Sequence, residues 1–409
     1  MHVHGLKELT DAGRERFLLM AVCDPHIRRA ERVAETAEQL LGIRPRTYSQ
    51  VASMLQAEAE LDALDIVTDP ASHHLVARLG LEAGKHLLIE KPLGVTVRAA
   101  RAIVETAREA GRTLAVAENF RRDPLNRLAK AVLEAGAVGD PYMVIQTCIL
   151  GKDLSGTAWK HEKLGGGFPL EVGVHYADLL LHHLGEVEEV FAYTHIFEPT
   201  RARPAKLWTL YEHMEESVPE TIATTCEDTV FGVFRFANGA LGQCSLSDAG
   251  HVASWRERRI FGSRGSIHVP SERTGLPISV SLDGGANLTE QAVLGLVPGY
   301  ELDEITTQLF GERCVAYSLP GREVNAKLLA IEFDDFARAV LDGRAPEVGG
   351  EQGLKATALA YAFCESAYLR SPVHVRDVEA GRIDAYQAEI DISLGLGPSH
   401  QGEYREPSE

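Results

Sequence analysis

No apolar run in this 409-residue chain approaches the roughly 18 residues that a membrane-spanning helix needs, and no secretory leader is visible. The expectation is a cytoplasmic protein with no membrane partner. Cationic residues are scarce: 41 Lys and Arg stand against 59 Asp and Glu, a net charge of −18. A nucleic-acid binder wants clustered Lys and Arg, so no nucleic-acid partner is expected. An acidic surface does not exclude an anionic cofactor, because a cofactor site is a local field. Only six cysteines occur, Cys23, Cys148, Cys226, Cys244, Cys314 and Cys364, and none form a C-x-x-C pair. Each lies in or beside an apolar stretch, the pattern of buried free thiols in a reducing compartment.

What is present suits two folded domains. The hydrophobic fraction is 45% and the charged fraction 24%, so core material is ample. Four short apolar runs read as strands buried on both faces: "FLLMAVCD" (Phe17 to Asp24), "LDIVTD" (Leu64 to Asp69), "HLLIEK" (His86 to Lys91) and "TLAVAEN" (Thr113 to Asn119). Between them lie helical stretches, "IRRAERVAETAEQLLG", "HHLVARLGLEAGK" and "TVRAARAIVETAREAG", each with Gly at or near its end. Alternating strands and helices of this length predict a doubly wound α/β domain with a parallel sheet.

In such sheets, ligands sit at the carboxyl ends of the strands. Asp24, Thr68, Asp69 and Pro70, Glu90, Lys91 and Pro92, and Glu118 and Asn119 fall there. Asp24 ends the strand where an acid takes both hydroxyls of an adenosine ribose and repels a 2′-phosphate, favouring NAD over NADP. The same residue precedes Pro25 and suits a helix N-cap. A dinucleotide fold also needs a first strand and a G-x-G-x-x-G loop ahead of the helix read in "HVHGLKELTDAG". About a dozen such residues are expected upstream of Met1. A start codon lying further upstream is the favoured explanation, with a truncated chain that binds cofactor weakly as the alternative.

In the middle of the chain, "GGGFPLEVGVHYADLLLHHLG" reads as a glycine-rich lead into a helix closed by Gly185. Glu171 and His175, four apart, should share a face, with Asp178 three further on. A carboxylate beside an imidazole holds its orientation and favours its protonated form, which suits a general base. His175, Asp178 and His182 could instead face a zinc ion, but no second cluster supplies a partner, so no metal is expected. Arg121 and Arg122 could meet an anionic group or form a solvated charge pair.

Further on, "YMVIQTCIL", "EVFAYTHIF", "TVFGVFRFA", "ALGQCSLSD", "RRIFGSRGSIHVP" and "PISVSLDG" read as strands joined by hairpins, an antiparallel sheet. Residues 199–222 read as a loop or excursion. "NAKLLAIEFDDFARAVLDG" is an amphipathic helix with Leu329, Phe333, Phe336 and Val340 on one stripe, and a second helix covers about Glu351 to Leu369. The domains expected are 1–121 (dinucleotide-binding, N-terminally incomplete) and 122–397 (α+β), followed by a polar tail, 398–409.

The pair of signatures "IEKPLG" and "GGGFPLEVGVHYADLLLHHLG", with "AVCDPHIRRAERVAE", "AENFRRDP" and "RIFGSRGSI", resembles the Gfo/Idh/MocA oxidoreductase family from about residue 2 to about 375. The resemblance implies a Rossmann domain followed by an α+β domain with a large open antiparallel sheet, often used to form homo-oligomers, here a dimer or tetramer. It implies a dehydrogenase that moves a hydride between a nicotinamide cofactor and a carbinol of a sugar, cyclitol or related polyol. On the matching positions, His175 takes the hydroxyl proton and Lys91 stabilises the same oxygen, with Glu171 or Asp178 orienting His175. Most members carry Asp where this chain has Glu171. The resemblance also places His73 near the cofactor and Trp159 and Lys160 along the substrate pocket. Two rival readings stay open: a non-catalytic NAD-binding regulator on the same fold, and a glycosidase that retains NAD and oxidises its sugar transiently.

Overall fold

The computed structural model describes residues 1–152, 157–203, 219–251 and 254–397. The polar tail, and residues 204–218 of the excursion expected at 199–222, lie outside these ranges.

The apolar runs of the first third form short parallel strands in two groups. Ala21–Cys23 pairs with Arg46–Tyr48, while Ala63–Ile66, His86–Glu90 and Leu114–Ala117 pair in that order. The strand at Arg46 has no apolar run to announce it and was not expected from sequence. The helix His2–Asp11 precedes the strands, and Ile27–Leu41, Val51–Ala57, His73–Glu82 and Val97–Ala110 stand between them. Gly42 and Gly111 close two of them in the left-handed conformation (φ 71° and 62°), which glycine adopts without steric cost. Thr96 starts the last of them by accepting the Ala99 N–H. This is the Rossmann-type alternation expected.

The far end of the chain covers this sheet. On the helix Gly321–Asp342, Leu329, Phe333 and Phe336 are buried in one cluster with Leu9, Leu88, Ala115 and Ala117. Each such aromatic contributes roughly 1.5–3 kcal/mol by leaving water. The following helix, Gly350–Leu369, lies so close that a Cβ on Gly353 would stand 2.8 Å from Val116. The Val116 N–H donates to the Val348 carbonyl, so the last parallel strand gains a partner from the C-terminal half.

The second half is built on a nine-stranded sheet. Its order is 287–289, 279–282, 265–270, 255–262, 141–151, 241–250, 229–236, 187–195 and 373–374. It is mixed rather than wholly antiparallel, because Pro141–Gly151 and Leu241–Gly250 run parallel at its centre. A parallel neighbour needs a crossover, and the chain between them supplies one that includes the helix Gly173–Leu184 and the sheet strands Val187–His195 and Thr229–Phe236. Val230, Cys244 and Leu246 face inward in the core shared with that helix. The other face exposes Phe231, Val233 and Tyr193, with Phe231 directly opposite Tyr193. Among the described residues, no helix is long and apolar enough to cross a membrane.

Candidate functional site

The site lies where the ends of the parallel strands meet the glycine-rich turn and the helix Gly173–Leu184. The turn is forced by packing. Gly166 and Gly167 have φ of 89° and 58°, and a Cβ on Gly167 would lie 2.1 Å from Cys226 Sγ. Only glycine allows the chain to pass there. The helix of "GGGFPLEVGVHYADLLLHHLG" is not continuous. A short helix, Gly167–Glu171, ends at Val172, and a second begins at Gly173.

That break changes the expected role of Glu171. Its carboxylate turns to two lysines rather than to His175: Lys160 Nζ donates to Oε1 at 2.8 Å and Lys91 Nζ at 3.1 Å. Lys91 also donates to the Glu171 carbonyl at 2.9 Å. Burial opposes ionisation of Glu171, but the charges of Lys160 and Lys91 outweigh it and hold the carboxyl well below its usual range. Lys91 closes the strand His86–Glu90 and precedes Pro92 through a cis peptide bond. Lys160 comes from the 3₁₀ turn Ala158–His161 and lies beside the Trp159 ring, its Nζ 5.5 Å from the centroid. One lysine from each half of the chain thus grips one carboxylate.

The partner of His175 is Glu118. The imidazole Nδ1 lies 2.8 Å from both Glu118 oxygens, and the Phe120 N–H donates to Oε1 at 2.9 Å. Phe120 stacks on the imidazole at 4.0 Å with the rings 4° from parallel. The Arg273 guanidinium lies 4.7 Å from the Phe120 ring centroid. Ring plane and ring rotation are therefore both fixed. Nε2 has no hydrogen-bond partner among the described residues. Burial, then the charges of Lys91 and Arg273, push His175 well below its ordinary pKa, so the resting ring is neutral. Burial lifts Glu118 to about 7 against the Phe120 N–H, Lys91 and Arg121. Glu118 falls on the polar rim read from sequence, but residue spacing pointed to Glu171 and Asp178 as partners. The only signal for it was its place at the end of the fourth apolar run.

Asp178 also turns away from the imidazole. It takes both arms of the Arg121 guanidinium, and burial still raises it to about 6. Arg122 is buried and paired with Asp335 at 3.1 Å and Glu347 at 3.0 Å. Neither arginine is left for an outside anion or forms the solvated pair considered above. His183 Nε2 lies 3.1 Å from the Asn126 carbonyl. Among the described residues, no group of three or more His, Cys, Asp or Glu could hold a metal ion.

The strand ends offer groups that fit a dinucleotide. Asp24 Oδ1 accepts the His26 N–H at 2.8 Å, and Oδ2 has no partner among the described residues. The helix starts later than expected, with His26 rather than Asp24 at its N-cap, so Asp24 braces the turn before the helix and still has an oxygen to offer a ribose. Asn119 Oδ1 is buried without a hydrogen bond, an orphan acceptor that a bound amide would satisfy. His73 differs from its expected role. Its ring nitrogens lie 3.0 Å from the Pro92 carbonyl and 3.1 Å from that of Thr68, so it brackets two loops and offers no free polar atom. Through it, the Thr68–Pro70 turn is tied to the segment carrying Glu90 and Lys91. Glu90 Oε2 accepts the Lys91 N–H, while Oε1 meets His2 Nε2.

Residues 4–118 match the oxidoreductase family with the NAD-binding Rossmann fold, GFO_IDH_MocA, and residues 126–268 match the GFO/IDH/MocA C-terminal domain. Myo-inositol 2-dehydrogenase of Thermotoga maritima is 24% identical over 380 residues, covering 92% of this chain and 96% of that protein. Levoglucosan dehydrogenase of Pseudarthrobacter phenanthrenivorans is 26% identical over 337 residues, 79% of this chain and 82% of its own. A solved structure of levoglucosan dehydrogenase with NADH and levoglucosan shares the fold, with a TM-score of 0.70 at 23% identity over 91% of this chain and 95% of that one. Sequence signatures, architecture and these matches agree: the chain belongs to the Gfo/Idh/MocA oxidoreductase family.

Proposed function

We propose that the protein is an NAD-dependent dehydrogenase that oxidises, or in reverse forms, a CH–OH group on a sugar, cyclitol or related polyol. The observation that carries this reading is the fixed imidazole of His175, with Nε2 unengaged, in the same charged cluster as Lys91. Bound nicotinamide supplies the hydride acceptor. Asp24 holds the adenosine ribose and selects NAD over NADP, and Asn119 meets the nicotinamide end. Lys91 donates a hydrogen bond to the substrate oxygen and steadies its developing negative charge. His175 Nε2, within ~3 Å of the substrate hydroxyl, takes its proton. Glu171 holds Lys91 and Lys160 in place through their hydrogen bonds, and Trp159 with Lys160 lines the substrate side.

One observation favours the regulator as a second reading: two of the three Nζ donors of Lys91 go to Glu171, which leaves one N–H for a substrate. A panel of cyclitols, sugars and their anhydro forms, offered with NAD or NADP, separates the two. Growth of reduced-nicotinamide absorbance marks the dehydrogenase, and NAD binding without it marks the regulator. Release of nitrophenol from a nitrophenyl glycoside with no net NADH would mark the redox glycosidase.

A further inference from the structure

We propose that Glu118 selects the tautomer of His175 and so decides whether the imidazole can act as a base. The inference rests on the dehydrogenase reading and adds a positioning residue to it. Nδ1 is the only ring nitrogen Glu118 reaches, at 2.8 Å from both oxygens, and the Phe120 stack prevents the ring from turning away. As a carboxylate, Glu118 accepts from Nδ1–H, which leaves the Nε2 lone pair open. The substrate O–H bond then breaks, an Nε2–H bond forms, and the resulting imidazolium stays paired with the carboxylate. As a neutral acid, Glu118 donates to Nδ1, the ring proton sits on Nε2, and no lone pair faces the substrate. That form carries the proton that carbonyl reduction consumes.

The dyad therefore holds one exchangeable proton and titrates as a unit. Burial of Glu118, which is 2% exposed, brings that event near neutrality. The charges around it come from every neighbouring element. Glu90 and Lys91 end a strand, Arg121 follows the last parallel strand, Glu171 and Asp178 flank His175, Arg273 lies behind Phe120, and Glu332 is buried on Gly321–Asp342.

The test uses the full chain, wild type against Glu118→Gln and Glu118→Asp. In Glu118→Gln the Phe120 N–H holds the amide oxygen, so the NH₂ faces Nδ1 and enforces the wrong tautomer. Polyol oxidation by the wild type should rise with pH on an apparent pKa near 7, and carbonyl reduction should fall on the same one. Glu118→Gln should lose roughly 10²–10⁴-fold in kcat for oxidation, as a triad Asp→Asn change does, and lose the inflection. Glu118→Asp should keep the inflection and recover part of the rate. ¹⁵N-labelled histidine spectra read the tautomer without turnover: Nδ1–H at pH 8 in the wild type, Nε2–H in Glu118→Gln. If no polyol is turned over, the dehydrogenase reading fails while the spectra still decide the tautomer. An Nε2–H ring in the wild type at pH 8, or a Glu118→Gln protein with wild-type tautomer and pH profile, overturns the proposal.

Discussion

Acidic side chains with opposite environments set the chemistry residue by residue. Glu171 is ionised by two lysines, so its contribution to stability is present above the ordinary glutamate pKa and lost as pH falls through its depressed one. Glu171→Gln should therefore flatten the acid limb of a Tm-against-pH curve below about pH 4.5. Glu118 has the other sign. Its raised pKa makes the fold lose stability as pH rises from the glutamate range through about 7. In the function proposed, Asp24→Ala removes the ribose acceptor and the charge that repels a 2′-phosphate. The ratio of kcat/KM for NAD to that for NADP should drop by roughly 10-fold or more, the loss of one charged hydrogen bond. An unchanged ratio would remove Asp24 from the cofactor site.

Elements decide what a linear spacing can say. The periodicity of Ile27–Leu41 and Val97–Ala110 is regular, and these helices were legible because each buries one face; Gly321–Asp342 was legible as a helix, but it is buried on every side from Leu328 to Ala337 rather than along the one stripe expected. Glu171 and His175 are four apart in sequence, yet they belong to separate helices, so the shared face their spacing implies does not exist. No local pattern marks the stop at Val172. It follows from contacts made far along the chain, with Cys226 under Gly167 and Lys91 on the Glu171 carbonyl. The Glu118–His175 bond likewise joins residues 57 apart, a distance at which period carries no signal. The glycine turn offers a test. Gly167→Ala should cost about 1–3 kcal/mol through overpacking and reduce activity by displacing the helix that carries His175. Cys226→Gly in the same chain should restore part of the loss in a denaturation and rate comparison. Full activity in Gly167→Ala alone would show the turn to be soft.

Taken whole, the molecule brings a strand end of the first sheet and a helix on the second to one cluster. The two halves are tied by helices of the C-terminal half that cover the parallel strands, which composition and period could not foretell. The open face of the nine-stranded sheet carries Phe231 and Val233, 52% and 51% exposed, beside Tyr193. At its margin, Arg235 lies 3.3 Å from Glu188 and 3.8 Å from Glu189. A surface holding apolar side chains and both charge signs can pair with itself, and we propose a second copy of the chain as its cover. Light scattering should give a multimer for the wild type and a smaller species for Phe231→Glu with unchanged circular dichroism. A wild-type monomer would contradict this.

In the function proposed, Lys91 and His175 act on one alcohol oxygen beside a nicotinamide. The most direct measurement compares NADH formation by the wild type, Lys91→Ala and His175→Ala on the best polyol of the panel, with NAD affinity measured alongside. Both variants should bind NAD as the wild type does while kcat falls roughly 10²–10⁴-fold, the share of general acid–base and electrostatic catalysis. NADH formed at the wild-type rate by either variant would contradict it.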